Sequence, residues 1–100
     1  MAKEQTKVKN RTRVKTKEPK NYVVIMHNDE VTTMDFVVEV LKNIFFKTPD
    51  QAHDLMMEVH TKGSAVVGVY TYDIAVSKAL KTMRIAAGNN FPLKLTWREE

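Results

Sequence analysis

The chain of 100 residues contains no cysteine and only three glycines, three prolines and one tryptophan. The absence of cysteine excludes disulfides, thiolate metal ligands and cysteine nucleophiles, and it is typical of a reducing compartment. No segment approaches the roughly 18 apolar residues of a membrane span, and the amino-terminal residues lack the apolar stretch of a secretory signal. We therefore expect a cytoplasmic protein with one folded domain, since ~100–150 residues is the commonest domain size.

Motifs of the common enzyme classes are also missing. The sequence has no G-x-G-x-x-G, no P-loop and no G-x-S-x-G nucleophile motif. His53 and His60 lie seven positions apart, without cysteines or the H-E-x-x-H spacing of a zinc site. The residues therefore predict neither an enzyme nor a protein that binds a metal or cofactor.

The charge is divided unevenly along the chain. Residues 1–20 contain eight basic and two acidic residues, a net charge of +6, whereas residues 21–100 carry a net charge of −2. The first segment has too few apolar side chains to offset the entropy of ordering it. We predict a mobile basic tail over residues 1–20 and a folded domain over residues 21–100. Because that domain is not basic, it is not expected to bind nucleic acid.

Three short apolar segments predict β-strands. Residues 22–26 and 65–70 are runs rich in β-branched residues, and residues 93–97 alternate between apolar and polar side chains. Two helical patterns lie between the first two strands and one lies before the third. The predicted order is β-α-α-β-α-β, an α+β domain of two layers in which a three-stranded antiparallel sheet packs against three helices.

Local signals place the ends of the helices. Thr32, with Asp35 three residues later, resembles a capping box and predicts that Thr32 caps the first helix. Thr48 opens the stronger signal T-P-D-Q for the second helix, which Gly63 should end, and Thr71 should cap the third. The predicted buried side of the third helix consists of Ala75, Ala79, Leu80, Met83 and Ala87.

A group of polar acceptors is predicted where the first strand and the second helix end. Asn28 and Asp29 follow the strand, and His60 lies near the end of the helix. Amide, carboxylate and neutral imidazole acceptors suit an ammonium group. The neighbouring apolar positions, which could line a side-chain pocket, are Met34, Val37, Met56 and Val59. The same pattern is typical of an ordinary turn beside a hydrophobic core, so the residues alone leave both interpretations open.

The stretch V-V-I-M-H-N-D-E-V-T-T-M-D-F-V-V-E-V-L at residues 23–41 resembles the signature of the ClpS family, the N-degron adaptors of the Clp protease. The resemblance continues through V-H-x-x-G at 59–63 and G-V-Y at 68–70, and it covers residues 22 to about 97. It implies a non-enzymatic adaptor without a cofactor. Such an adaptor binds proteins with a bulky apolar N-terminal residue (Leu, Phe, Tyr or Trp) and delivers them to a ClpA-like AAA+ ATPase and its ClpP protease.

The resemblance also assigns roles to individual residues. The family residues that bind the substrate α-amino group match Asn28, Asp29 and His60. The family's pocket for the N-terminal side chain maps onto Thr32, Met34, Val37, Met56, Val59 and Leu93. Its ATPase-docking surface maps onto Asp73 and Lys78, which are otherwise ordinary solvated charges. Thr33 stands where the family often has proline, and we expect it in the first turn of the first helix.

Two alternative functions follow from other features. The basic tail is compatible with a small RNA- or ribosome-associated protein, for which salt-sensitive RNA binding through the tail would be diagnostic. Asp29, Glu30 and His60 are compatible with a metal-dependent or acid–base enzyme, for which turnover or sensitivity to a chelator would be diagnostic. Binding of short peptides with free N-termini to residues 21–100 would favour the adaptor.

Overall fold

The computed structural model describes residues 19–100. Its elements are β1 (Asn21–His27), α1 (Met34–Asn43), α2 (Pro49–Lys62), β2 (Ser64–Thr71), α3 (Tyr72–Gly88) and β3 (Lys94–Glu99). The strands form one sheet in the order β2-β1-β3, and β1 is antiparallel to both neighbours. The predicted α+β fold with three antiparallel strands and three helices is confirmed. Most of the predicted tail, residues 1–18, lies outside the described part of the chain.

The hydrophobic core lies between the sheet and the helices. Val24 and Met26 of β1, the central strand, are completely buried, and so is Leu41 of α1. Ala52 on α2 and Ala75 on α3 are equally inaccessible, because small side chains let both helices approach the layer beneath them closely. None of the described helices is long and apolar enough to cross a membrane.

Helix α1 begins one residue later than the sequence signal predicted. Its N-cap is Thr33, whose Oγ1 accepts a hydrogen bond from the Phe36 amide at 3.2 Å. The prediction that Thr32 caps this helix is wrong, because the Thr32 hydroxyl donates to Asp29 Oδ2 at 2.8 Å. Thr33 precedes the first helical turn rather than lying in it, and its hydroxyl makes a capping bond that proline has no side-chain acceptor to make.

Helix α2 has the predicted start and end. The Thr48 hydroxyl accepts from the Gln51 amide at 3.2 Å and Gln51 Oε1 accepts from the Thr48 amide at 3.1 Å, which completes the capping box. Gly63 ends the helix with φ of 90°, and its amide donates to the Val59 carbonyl at 2.9 Å. The Gly63 carbonyl accepts from the Asn28 amide at 2.9 Å. The end of α2 is thereby fixed against the turn that follows β1.

Replacing Gly63 with alanine is expected to destabilise the protein by about 1–2 kcal/mol, the cost of a left-handed backbone at a residue with a Cβ. No atom lies within 4 Å of the added Cβ, so the cost is one of backbone conformation rather than collision. Gly88→Ala is the matched control, because its Cβ also meets open space and its backbone is not left-handed. Urea unfolding should show Gly88→Ala as neutral or more stable by up to about 1 kcal/mol. Equal effects of the two substitutions would contradict the argument.

Helix α3 faces the core partly as predicted: Ala75 and Ala79 are buried, and Met83 is half-buried against the core. Its buried residues are Ala75, Ala79, Thr82 and Ala86. Leu80 is 46% exposed and Ala87 is also exposed, so their predicted burial is wrong. The alanine stripe lets the helix pack closely on the sheet, and the buried Thr82 hydroxyl is satisfied by donating to the Lys78 carbonyl at 2.8 Å. Thr71 occupies the predicted N-cap position, although its side chain makes no capping bond.

Candidate functional site

A cavity of about 540 Å³ opens between the β1–α1 turn, helix α1 and the end of helix α2. This volume lies within the ~300–1,000 Å³ typical of pockets for small ligands. The cavity is lined by Asn28, Asp29, Glu30, Val31, Thr32, Thr33, Met34, Val37, Met56, Val59 and His60. The fold therefore brings together two segments that lie far apart along the chain, residues 28–37 and residues 56–60.

Most of the residues assigned by resemblance line this one cavity. They include all three assigned to the α-amino group and five assigned to the side-chain pocket, which are Thr32, Met34, Val37, Met56 and Val59. Leu93 does not line it; it is 5% exposed and belongs to the hydrophobic core. Val31 and Thr33 line the cavity although the sequence analysis did not assign them. Their position inside the assigned segment 28–34 was the available signal.

The carboxylate of Asp29 shapes the turn between β1 and α1. Asp29 Oδ1 accepts hydrogen bonds from the amides of Val31 at 2.8 Å and Thr32 at 2.7 Å. Asp29 Oδ2 accepts the Thr32 hydroxyl at 2.8 Å. A carboxylate has about four acceptor positions, so Oδ2 retains acceptor capacity for a further donor. The side chain thus holds the wall of the cavity in shape and keeps an acceptor available.

These contacts also change the acidity of Asp29. Partial burial raises its pKa, but the hydrogen bonds from the Thr32 amide, the Thr32 hydroxyl and the Val31 amide outweigh burial and leave the pKa below its ordinary value. A carboxyl group with a depressed pKa in the folded state stabilises the fold above its unfolded pKa. That contribution is lost as the pH falls through the folded pKa. Asp29 is therefore ionised at neutral pH.

Replacing Thr32 with valine is expected to move the pKa of Asp29 upward, towards its ordinary value. Valine keeps the amide bond to Oδ1 and removes the hydroxyl that donates to Oδ2. The measurement is an NMR titration of the Asp29 carboxyl carbon in the wild type and the variant. Thr61→Val is the control, because that exposed hydroxyl donates to the Met57 carbonyl instead. An unchanged Asp29 titration in Thr32→Val would show that the hydroxyl does not stabilise the carboxylate.

The cavity has a polar end and an apolar end. Asn28, Asp29 and His60 supply the acceptors at the polar end, and the bond between Asn28 and Gly63 holds the turn close to the last residues of α2. Val37, Met56 and Val59 are buried side chains whose surfaces form the apolar end. Among the described residues, no lysine or arginine lines this cavity. The arrangement suits a ligand with a cationic donor group next to an apolar group.

Asp73 and Lys78 lie on α3, away from the cavity. Asp73 is exposed in the first helical turn. Lys78 is half-buried, and its ammonium group donates to the Ile44 carbonyl at 2.6 Å. Five positions of a helix with 3.6 residues per turn separate the two side chains onto different faces. Within residues 19–100, no group of three or more His, Asp or Glu residues is placed to hold a metal ion.

Comparisons with known proteins identify the family of this chain. The family model described as "ATP-dependent Clp protease adaptor protein ClpS" matches residues 17–96. The chain is 52% identical over 97 residues to the ClpS adapter of Acetivibrio thermocellus, which covers 97% of this chain and 98% of that protein. It is 50% identical over 86 residues to ClpS of Campylobacter jejuni, covering 86% and 90% of the two chains.

A solved structure gives the same result for the fold. Agrobacterium tumefaciens ClpS2, determined bound to L-phenylalaninamide, superimposes with a TM-score of 0.80 at 40% identity. The match covers 83% of this chain and all of that one. The two-layer α+β fold is common to both chains. The chain belongs to the ClpS family, the adaptors of the ATP-dependent Clp protease.

Proposed function

We propose that this adaptor binds proteins through their free α-amino group and a bulky apolar N-terminal residue, Leu, Phe, Tyr or Trp, and delivers them for degradation. The observation that carries the proposal is the single cavity that joins an acceptor-lined end to an apolar end. The ligand of the A. tumefaciens relative supports it, since L-phenylalaninamide offers a free amine beside an aromatic side chain. Delivery would be to a ClpA-like AAA+ ATPase and its ClpP protease in the cytoplasm.

The polar end would hold the α-amino group. An N-terminal amine has an ordinary pKa near 7.7–8.0 and is largely cationic at pH 7. Asp29 is ionised there, since an ordinary aspartate already is at neutral pH and its hydrogen bonds lower its pKa further. A bond from the ammonium to this carboxylate is charge-assisted, and Asn28 and His60 supply further acceptors on the cavity wall.

The apolar end would hold the first side chain of the substrate. Val37, Met56 and Val59 offer it a buried apolar surface. Burying a side chain such as Leu or Phe contributes roughly 1.5–3 kcal/mol. Short polar or charged first residues gain little from this surface, so selection at this end would be by size and hydrophobicity.

The remaining assignments of the family complete the proposal. The family assignment would place both Asp73 and Lys78 of α3 at the surface that docks on the ATPase. The exposed Asp73 carboxylate would be directly available there, whereas Lys78 lies on another face of the helix with its ammonium bonded to the Ile44 carbonyl. The chain would act by binding alone and leave catalysis to the protease, as expected of an adaptor of the Clp protease.

The test is a fluorescence titration of the full chain with a labelled peptide that begins with leucine. Saturable binding is expected, and an unlabelled copy of the same peptide should displace the label, whereas a peptide that begins with glycine should not. Single-stranded RNA is the competitor that addresses the alternative function, which rests on the basic tail. Displacement by RNA with a steep salt dependence, together with no preference for leucine over glycine, would reject the adaptor proposal.

A further inference from the structure

The ammonium group of Lys78 lies inside a cage of aromatic rings. Its Nζ atom is 4.6 Å from the centre of the Phe46 ring, 5.3 Å from that of Tyr70 and 5.9 Å from that of Phe45. Cations within about 6 Å of a ring face are attracted by the ring quadrupole. Partial burial lowers the pKa of Lys78, and the nearby charge of Lys81 lowers it further. The three rings and the Ile44 carbonyl stabilise the positive charge of the Lys78 ammonium, which is partly shielded from water.

Strand β2 positions the Tyr70 ring beside Lys78. The Tyr70 ring lies directly over Gly68, where any added Cβ would collide with the ring and its hydroxyl. Tyr70 also packs against Phe45, with ring centres 6.4 Å apart. In the G-V-Y segment of β2, the absence of a side chain at Gly68 therefore leaves room for the Tyr70 ring that contacts Lys78. None of these residues lines the cavity.

The acceptor of the Lys78 ammonium lies at the start of the connection between α1 and α2. Ile44 is the C-cap of α1, and α2 begins after Thr48. In between, Phe46 has φ of 54° and is 78% exposed, so the chain turns sharply there without burying the ring. The hydrogen bond of 2.6 Å from Lys78 on α3 to the Ile44 carbonyl thus connects α3 to the turn between α1 and α2.

The same two helices supply the walls of the cavity. Helix α1 contributes Met34 and Val37, and helix α2 contributes Met56, Val59 and His60. We propose that Lys78 is a positioning residue for this cavity: by tying the α1–α2 turn to α3, it fixes the spacing of the walls and so tunes which first side chains fit. This inference rests on the proposed function, because the cavity must bind peptides for its spacing to matter.

The test compares Lys78→Met with Lys81→Met, using peptides that begin with leucine or tryptophan and no ATPase in the assay. Methionine keeps an apolar stem of similar length but cannot donate to the Ile44 carbonyl. Lys81 lies on the same helix and is exposed, with no hydrogen bond to the turn. Lys78→Met is expected to weaken binding roughly 2- to 30-fold, the range in which residues away from a ligand alter its affinity. The two peptides should lose affinity by unequal factors, and Lys81→Met should change neither.

A second measurement covers the case in which Lys78→Met does not fold. Hydrogen exchange of the wild type is followed at the Lys47 amide in the α1–α2 turn, which donates to the Leu41 carbonyl of α1 at 3.0 Å. Because coupling between two sites is reciprocal, saturating peptide should slow exchange at Lys47 although that residue does not line the cavity. The readout is taken where exchange occurs by local opening rather than by global unfolding.

The outcomes separate this inference from the function on which it rests. If the wild type binds neither peptide, the proposed function fails and the positioning role fails with it. If the wild type binds, but a folded Lys78→Met shows the same affinities and the same ratio between the two peptides, only the positioning role is overturned. Should the variant not fold, unchanged exchange at Lys47 in the saturated wild type overturns it in the same way.

Discussion

A peptide that begins with leucine is expected to bind at least about 30-fold more weakly when its α-amino group is acetylated. Acetylation removes the positive charge and most donors, and it leaves the Asp29 carboxylate without its cationic partner. Removing one member of a hydrogen-bonded charge pair costs about 2–5 kcal/mol, and the accessible cavity places the effect at the lower end, which is about 30-fold. Isothermal titration calorimetry of the two peptides measures the ratio.

Two histidine substitutions in α2, one inside the cavity and one outside it, accompany this prediction as test and control. His60→Ala removes an acceptor from the cavity wall and should weaken binding about 2- to 12-fold, the value of a single hydrogen bond. His53→Ala changes an exposed residue of α2 outside the cavity and should leave the affinity unchanged. Equal affinities for the free and acetylated peptides would show that the amine is not recognised, whatever the histidine variants do.

Replacing Met34 with alanine is expected to change which first residues the adaptor accepts. Met34 is the first residue of α1, is 43% exposed and lines the cavity beside the polar turn. We expect its side chain to lie against the Cβ of a bound N-terminal residue. Isoleucine and valine carry a second heavy atom on Cβ and have a stiff χ1, so they cannot rotate away from this contact, whereas leucine and phenylalanine branch further out.

The size of the Met34 effect follows from the cost of overpacking. That cost is about 1–3 kcal/mol, and the flexibility of methionine favours the lower half of the range, or roughly 5- to 30-fold in affinity. Met34→Ala should raise the affinity for an isoleucine peptide relative to a leucine peptide by about that factor. Val38→Ala is the control, since that half-buried residue of α1 does not line the cavity. An isoleucine-to-leucine ratio that stays the same would show that Met34 only packs against the fold.

The order and type of the elements could be read from local patterns. The β-branched runs predict β1 and β2 because such side chains suit a pleated, half-buried surface, and the capping box at Thr48 predicts the start of α2 because both of its bonds lie within four residues. Gly63 predicts the end of α2 for a similar reason, since only a residue without Cβ takes φ of 90° without strain. The cavity walls at residues 28–34 and 56–60 were assigned by the family resemblance, because their local pattern is also typical of an ordinary turn beside a hydrophobic core.

Where the local signals allowed two solutions, further contacts decided between them: a bond to a residue three positions away at the start of α1, and packing on the sheet for α3. Thr32 and Thr33 are both competent caps, and the Asp29 carboxylate took the Thr32 hydroxyl, which left Thr33 to cap α1. On α3, the apolar stripe through Leu80 competed with the alanine stripe, and close packing on the sheet favoured the smaller side chains.

The sequence by itself determined the α+β order and the caps of α2, because each of these depends on neighbours a few positions away. The residues around the cavity were assigned by the family resemblance, and they meet only because the fold brings residues 28–37 and 56–60 together. Only the tertiary structure decided that Leu93 lies in the core and that Lys78 turns its ammonium towards Ile44, 34 positions earlier in the chain. Nothing in a local pattern distinguishes a solvated lysine from one enclosed by three rings. The contacts that stabilise the Lys78 ammonium in this position form only when α3 packs beside the α1–α2 turn.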